Sequence, residues 1–163
     1  MQAGWYRGKA VGGMTEVEKA YVAGFLDGDG SIMAHIVPHR ECRFGYAIRV
    51  VVKFSQHEDN QDTLVELKQL CGDGYLSQAN KHVRELALKS SRGVERLLRE
   101  VGPYVRIKRT QVERALKLIE RLKTVQTPDD FRQAAEMADA LSAANLKSRS
   151  RRKHTSQTIR LSP

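Results

Sequence analysis

Two cysteines are all that the chain contains, and neither Cys42 nor Cys71 belongs to a Cys-x-x-Cys pair. A disulfide framework is thereby excluded, and a reducing, intracellular compartment fits best. The five histidines fall at no zinc-ligand spacing, so no structural zinc is expected. No apolar stretch approaches the roughly 18 residues that a spanning helix requires, which excludes a membrane partner of that kind. Met1 to Gly13 holds Arg7 and Lys9 without an apolar core, so it is neither a secretory signal nor a good transit peptide. Internal repeats are also missing, and strands and helices do not alternate as βαβ units.

What is present is charge of one sign. Twenty-eight Lys and Arg against nineteen Asp and Glu leave a net charge of +9, which favours a polyanionic partner. No small-molecule substrate is expected. A length of 163 residues with 40% apolar content suits one well-buried core. The expected division is a flexible N-terminal segment over 1–13, a domain over 14–146 and a basic tail over 147–163.

Hydrophobic periodicity gives the elements. Thr15 and Glu18 form a capping-box signature for a helix that should stop near Asp27. Ser31 to Val37 alternates Ile32, Ala34 and Ile36 against Met33, His35 and Val37, which predicts a strand with two unlike faces. A longer strand follows over Tyr46 to Ser55, with Tyr46, Ile48, Val50, Val52 and Phe54 on one face. Asp59 is the expected cap of a helix through Leu70 that Gly72 ends. Shorter strands are expected over Tyr75 to Ser77 and Val83 to Lys89. Three helices should follow: one opening at Ser91 and stopped by Gly102-Pro103, one over Arg109 to Leu122, and one capped by Thr127 and running to about Asn145. The predicted class is α+β, an αββαββα core with an antiparallel sheet, C-terminal helices and a basic tail.

One stretch makes conflicting demands. Tyr21 to Gly30 ends an apolar helix in Asp27-Gly28-Asp29-Gly30, placing two carboxylates where the helix carbonyls already carry partial negative charge. A hard divalent cation such as Mg²⁺, held by carboxylate and main-chain carbonyl, would reverse that penalty. The same four residues are also good turn chemistry, and by themselves they leave both readings open. An EF-hand is excluded, because counting from Asp27 places Ile32 where its glycine belongs and Pro38 where its glutamate belongs. Ala20, Gly24 and Gly28 recur every four residues and form a stripe of small side chains where another backbone can approach.

Val22-Ala23-Gly24-Phe25-Leu26-Asp27-Gly28-Asp29-Gly30-Ser31 resembles the signature of LAGLIDADG homing endonucleases, with every small and acidic position filled. The resemblance extends to Phe54-Ser55-Gln56, to Pro103-Tyr104-Val105-Arg106-Ile107-Lys108, and to 153–160. It is strongest to the single-motif, homodimeric members encoded by algal organelle introns, which implies a chloroplast or mitochondrial location. It further implies a saddle-shaped sheet and a Mg²⁺-dependent hydrolase, in which Mn²⁺ substitutes. Such an enzyme cuts double-stranded DNA at a long pseudo-palindromic target and leaves 3′ overhangs.

Residue by residue, the resemblance gives Asp29 as metal ligand together with the Gly28 carbonyl, and sets the Asp29 side chains of two subunits side by side. Gln56 would orient water and Lys108 would stabilise charge at the scissile phosphate, while Asp27 takes a structural role in the turn. One departure is that relatives often carry a basic residue shortly after the glutamine, where this chain has His57-Glu58-Asp59-Asn60. Expected DNA contacts are Met33, His35, Arg49, Val51, Lys53, Ser77 and Glu85 on the strands. His39, Arg40 and Arg43 on the first connection, and Lys147, Lys153 and His154 in the tail, complete the set. Arg49 suits guanine, and Glu85 could accept from cytosine N4. Ala20, Gly24, Phe25 and Gly28 are the expected dimer face. The alternative is a cleavage-inactive DNA- or RNA-binding module on the same fold, an intron maturase or a transcription regulator. The presence of Asp29, Gln56 and Lys108 together argues against it.

Overall fold

A computed structural model describes residues 13–145 and 152–162. The N-terminal segment before Gly13, and Lys147, Arg149 and Arg151 of the tail, lie outside the described residues. The first helix, α1 (Glu16–Asp29), starts at the expected capping box: Glu18 N–H donates to Thr15 Oγ1 at 3.2 Å and Thr15 N–H to Glu18 Oε2 at 2.7 Å. It runs two residues beyond the expected stop at Asp27, so both carboxylates sit in the last helical turn and not in a following loop.

Gly30 explains the missing turn. It is extended, with φ at −99°, its N–H reaches the Leu26 carbonyl, and strand β1 (Gly30–Pro38) begins at that same residue. A Cβ there would meet Leu26 Cδ1, Cα and O at 2.6 to 2.7 Å, so only glycine lets the chain pass from helix to strand this closely. Strand β2 (Tyr46–His57) is also longer than expected and carries Gln56 within its last pair of residues.

A short 3₁₀ turn, Glu58–Asn60, separates β2 from α2 (Gln61–Cys71). Asn60, not Asp59, is therefore the capping position, and its side chain makes no capping bond. Gly72 ends α2 at φ 66°, in the left-handed region that favours glycine. Strands β3 (Tyr75–Gln78) and β4 (Val83–Leu88) form a hairpin. The remaining helices are α3 (Ser91–Val101), α4 (Arg109–Leu122) and α5 (Pro128–Ala143), the last opened by a capping box between Thr127 and Asp130.

The four strands make one antiparallel sheet in the order β1-β2-β4-β3. Register places Val52 between Ile32 and Leu88, and Phe54 opposite Leu86; these five side chains are fully buried beneath the helices. Burying each such side chain contributes about 1.5–3 kcal/mol. Val22 and Leu26 of α1 complete the same core. Cys71 is buried in it as a free thiol, and burial pushes its pKa up to about 12.

Among the described residues, no helix packs on the other face of the sheet. His35 lies opposite Arg49, Met33 opposite Val51, and Ser55 opposite Glu85, which in turn faces Ser77. The edge of β1 is covered by side chains from the C-terminal part. Ser142 Oγ donates to the Ala34 carbonyl at 2.9 Å, and Asn145 Nδ2 donates to the Ile32 carbonyl at 2.7 Å. Such covering prevents an edge strand from pairing with another chain.

From Arg152 onward the tail is no free basic arm. Arg152 pairs with Asp139 at 2.5 Å and donates to the Ala34 carbonyl at 2.9 Å, Ser156 N–H donates to Asp139, and Ile159 and Leu161 pack against the core. Among the described residues, no helix is long and apolar enough to cross a membrane.

Candidate active site

The C-terminal end of α1 carries no basic residue of its own, and a distant segment supplies one. Lys108 Nζ donates to the Asp27 carbonyl at 2.6 Å, placing a cation where the helix dipole favours it. The same aspartate clasps the segment that brings the lysine. Its carboxylate accepts from the main-chain N–H groups of Arg106 at 2.8 Å, Ile107 at 3.1 Å and Lys108 at 3.0 Å. Partial burial works against ionisation of Asp27. The three N–H groups and the Lys108 charge outweigh it and hold the carboxyl below its usual range. Asp27 thus has the expected structural role, but as a clasp between segments and not within a turn.

Asp29, two residues on, is exposed. Its carboxylate is held by Gln56 alone among the hydrogen bonds of the described residues: Gln56 Nε2 donates to Asp29 Oδ2 at 2.6 Å. Asn60 Nδ2 in turn donates to Gln56 Oε1 at 3.4 Å, which fixes the orientation of the amide. Gln56 shares the helix-bearing face with Phe54, so strand alternation carries it toward the end of α1. The structure therefore brings the three expected catalytic residues to one place, with Gln56 bonded to the carboxylate itself. Asn60 was missed by sequence reasoning; its only signal was its position four residues after Gln56.

The donor set fits a hard cation. One Asp29 oxygen is engaged by Gln56 while the carboxylate as a whole stays exposed, and Gly28 lies in the last helical turn, where carbonyls lack intrahelical partners. No histidine or cysteine belongs to this set, so softer metals are not favoured by it.

The expected dimer face is open. Ala20, Gly24 and Gly28 are all exposed, and a Cβ added at Gly24 or Gly28 would meet nothing within 4 Å. Val17, 80% exposed, and Tyr21, 47% exposed, adjoin the stripe; sequence reasoning had not assigned them to it. Phe25 is half-buried, with its ring edge-on to Phe54 at 5.9 Å, and packs against the core.

The helix-free face holds most expected DNA contacts. Val51 is only 3% exposed and offers little to a ligand. The Glu85 carboxylate accepts from Lys53 at 3.1 Å and from Ser55 at 3.5 Å, which fixes its orientation on this face. His39 is half-buried, and its buried Nδ1 has no hydrogen-bond partner among the described residues.

Arg40 and Arg43 are exposed on the β1–β2 connection, Arg43 over the Phe44 ring at 5.4 Å, and Ser77 is exposed on β3. His154 stands edge-on to Tyr46, and with Lys153, Met33 and His35 lines a groove of about 710 Å³ beside β1. Partial burial, with Arg152, Lys53 and Lys89 nearby, lowers the His35 pKa, so its ring favours the neutral form.

An acidic helix end, a strand-end glutamine and a clasped lysine on this sheet define a LAGLIDADG protein. The model of the LAGLIDADG endonuclease family matches residues 22–108, and the chain belongs to that family. It is similar to the DNA endonuclease I-CreI of Chlamydomonas reinhardtii, with 30% identity over 141 residues, covering 86% of this chain and 85% of the relative. It is also similar to the DNA endonuclease I-CvuI of Chlorella vulgaris, with 27% identity over 124 residues, covering 76% and 77%. The crystal structure of I-CvuI with its target in the presence of Ca superposes with a TM-score of 0.77 at 26% identity, covering 86% of this chain and 88% of that one.

Proposed function

We propose that the chain is a site-specific double-strand DNA homing endonuclease that acts as a homodimer and hydrolyses phosphodiesters with Mg²⁺, Mn²⁺ substituting. The observation that carries this reading is the Gln56 hydrogen bond to Asp29 beside the Lys108 clasp. It assembles a carboxylate, an amide and a cation from three distant parts of the chain. Relatives named as DNA endonucleases, and an I-CvuI structure with DNA and Mg, support the substrate and the cofactor.

Asp29 and the Gly28 carbonyl would hold the ion. A bound divalent ion supplies Lewis-acid stabilisation of charge on phosphate and lowers the pKa of water. Gln56 keeps the Asp29 carboxylate oriented through its 2.6 Å bond, and its neutral amide does so without titrating. The Lys108 ammonium adds fixed positive charge to stabilise the phosphorane-like transition state, at a position set before substrate arrives.

One Asp29 per chain gives half of a two-metal site, and the exposed small stripe on α1 supports pairing about a two-fold axis. The twelve residues of β2 span about 40 Å at about 3.3 Å each, or about 12 bp of DNA. Two subunits would then cover on the order of 20–24 bp of a pseudo-palindrome. With both aspartates central, the cuts would fall close together and leave short 3′ overhangs. His35, Arg49 and Lys53 would face the major groove, which admits a two-stranded ribbon. The green-algal relatives support an organellar location, in chloroplast or mitochondrion.

A plasmid-nicking assay with and without Mg²⁺, followed by selection of cleaved sites from randomised DNA, tests the reading. Binding without Mg²⁺-dependent cleavage at any selected site would favour the inactive binding module.

A further inference from the structure

The histidines show no metal spacing in the sequence, yet the fold brings two of them together. His57 ends β2 and His82 precedes β4, and their rings stack with centroids 5.9 Å apart and 9° between planes. Glu58 lies beside them, its Oε1 3.0 Å from His82 Nδ1. One nitrogen of each ring and a Glu58 oxygen all lie within 4.8 Å of one another. None of the three belongs to the Asp29 site.

We propose that His57, Glu58 and His82 form a second metal site, selective for a borderline divalent ion of the zinc type and separate from the hard-cation position at Asp29. Two imidazole nitrogens and one carboxylate oxygen make the three-ligand set that zinc accepts with water in the fourth position, whereas Mg²⁺ prefers oxygen alone.

The surroundings hold these ligands in advance. Arg84 Nη2 binds the other Glu58 oxygen at 3.2 Å. Glu58 N–H donates to the His82 carbonyl at 2.9 Å, and Asn80 Oδ1 accepts from the N–H groups of His82 at 2.9 Å and Val83 at 3.0 Å. His57 Nδ1 accepts from the Asp59 N–H at 3.4 Å and lies 3.1 Å from Asp59 Oδ2, contacts that hold the ring beside the cluster.

Tetrahedral ligands at about 2.0–2.1 Å from zinc stand about 3.4 Å apart, so the cluster must close by on the order of 1 Å. His57 and His82 side chains are 51% and 56% exposed and can rotate to do so. Arg84 opposes a cation through like charge, and Asp59 offsets it. A bound ion would tie the tip of the β3–β4 hairpin to the residue that directly follows Gln56.

The test is calorimetric titration of the EDTA-stripped full chain with Zn²⁺, paired with thermal melts and with Co²⁺ as a spectroscopic probe. One Zn²⁺ per chain and a raised melting temperature are expected. His82→Gln and His57→Gln should each weaken Zn²⁺ by at least about tenfold, the loss typical even of outer-shell partners, without changing the metal-free melt. Asp29→Asn should leave Zn²⁺ affinity unchanged. Equal affinity in the His82→Gln chain, loss of binding in the Asp29→Asn chain, or no binding at all overturns the proposal.

Discussion

Lys108 and Asp27 hold each other twice: the main-chain N–H of Lys108 donates to the Asp27 carboxylate at 3.0 Å, and its ammonium donates to the Asp27 carbonyl at 2.6 Å. This reciprocal hold fixes the segment before α4 against the end of α1. Asp27→Asn would turn an acceptor of three N–H groups into a group with one acceptor oxygen, exposing at least one donor. The expected cost is about 1–3 kcal/mol in urea denaturation at neutral pH.

Acid should erase that difference. The folded-state pKa of Asp27 is depressed, so its contribution is present above the unfolded value near 3.8 and is lost as pH falls through the lower folded value. Stability of the unsubstituted chain and of Asp27→Asn should therefore converge below about pH 4. Parallel denaturation curves from pH 7 to pH 3 check this. A gap that does not narrow at all on acidification would place the cost in packing and not in the charge.

Asp29→Asn should remove Mg²⁺-dependent nicking while leaving DNA affinity within a few-fold, because the helix-free sheet face is untouched. Nicking measured beside gel shifts without metal separates the two. Cleavage at a comparable rate would end the assignment.

How much of this was legible follows the range of each interaction. The capping box at Thr15, the cap at Thr127, the glycine stop at Gly72 and the alternation in β1 and β2 are local, and they were read from the chain. Asp29, Gln56 and Lys108 came from motif resemblance, and the fold brings them together. The misses are long-range. No periodicity shows that Asp27 binds a segment about eighty residues away, that Gly30 must clear Leu26, or that Asp139 holds Arg152. Likewise, nothing local reveals that Glu85 pairs with Lys53.

Gly30→Ala tests the tight junction between α1 and β1. Its new methyl would meet main-chain atoms of Leu26, which cannot rotate away, so the junction must shift. A loss of about 1–3 kcal/mol is expected from overpacking, together with reduced cleavage as Asp29 moves. A thermal melt matching the parent chain would show that the helix end can relax freely.

Lys108→Met should slow cleavage on the order of 10²-fold or more through loss of transition-state charge, with little change in binding. Single-turnover cleavage at saturating enzyme separates rate from affinity. Equal losses in both would make Lys108 a phosphate anchor.

Gly24→Val isolates the dimer from the fold. Within one chain a Cβ at Gly24 meets nothing within 4 Å, and valine is a better helix former than glycine by a few tenths of a kcal/mol, so the monomer should fold at least as well as before. Across a two-fold axis the same methyls would push apart two helices whose small residues allow close approach. Sedimentation should show the equilibrium moved toward monomer, and cleavage should fall at low protein concentration and recover partly as concentration rises. Footprints should shrink from about two helical turns to one. If the variant stays dimeric and fully active, the exposed stripe of Ala20, Gly24 and Gly28 is not the contact between subunits.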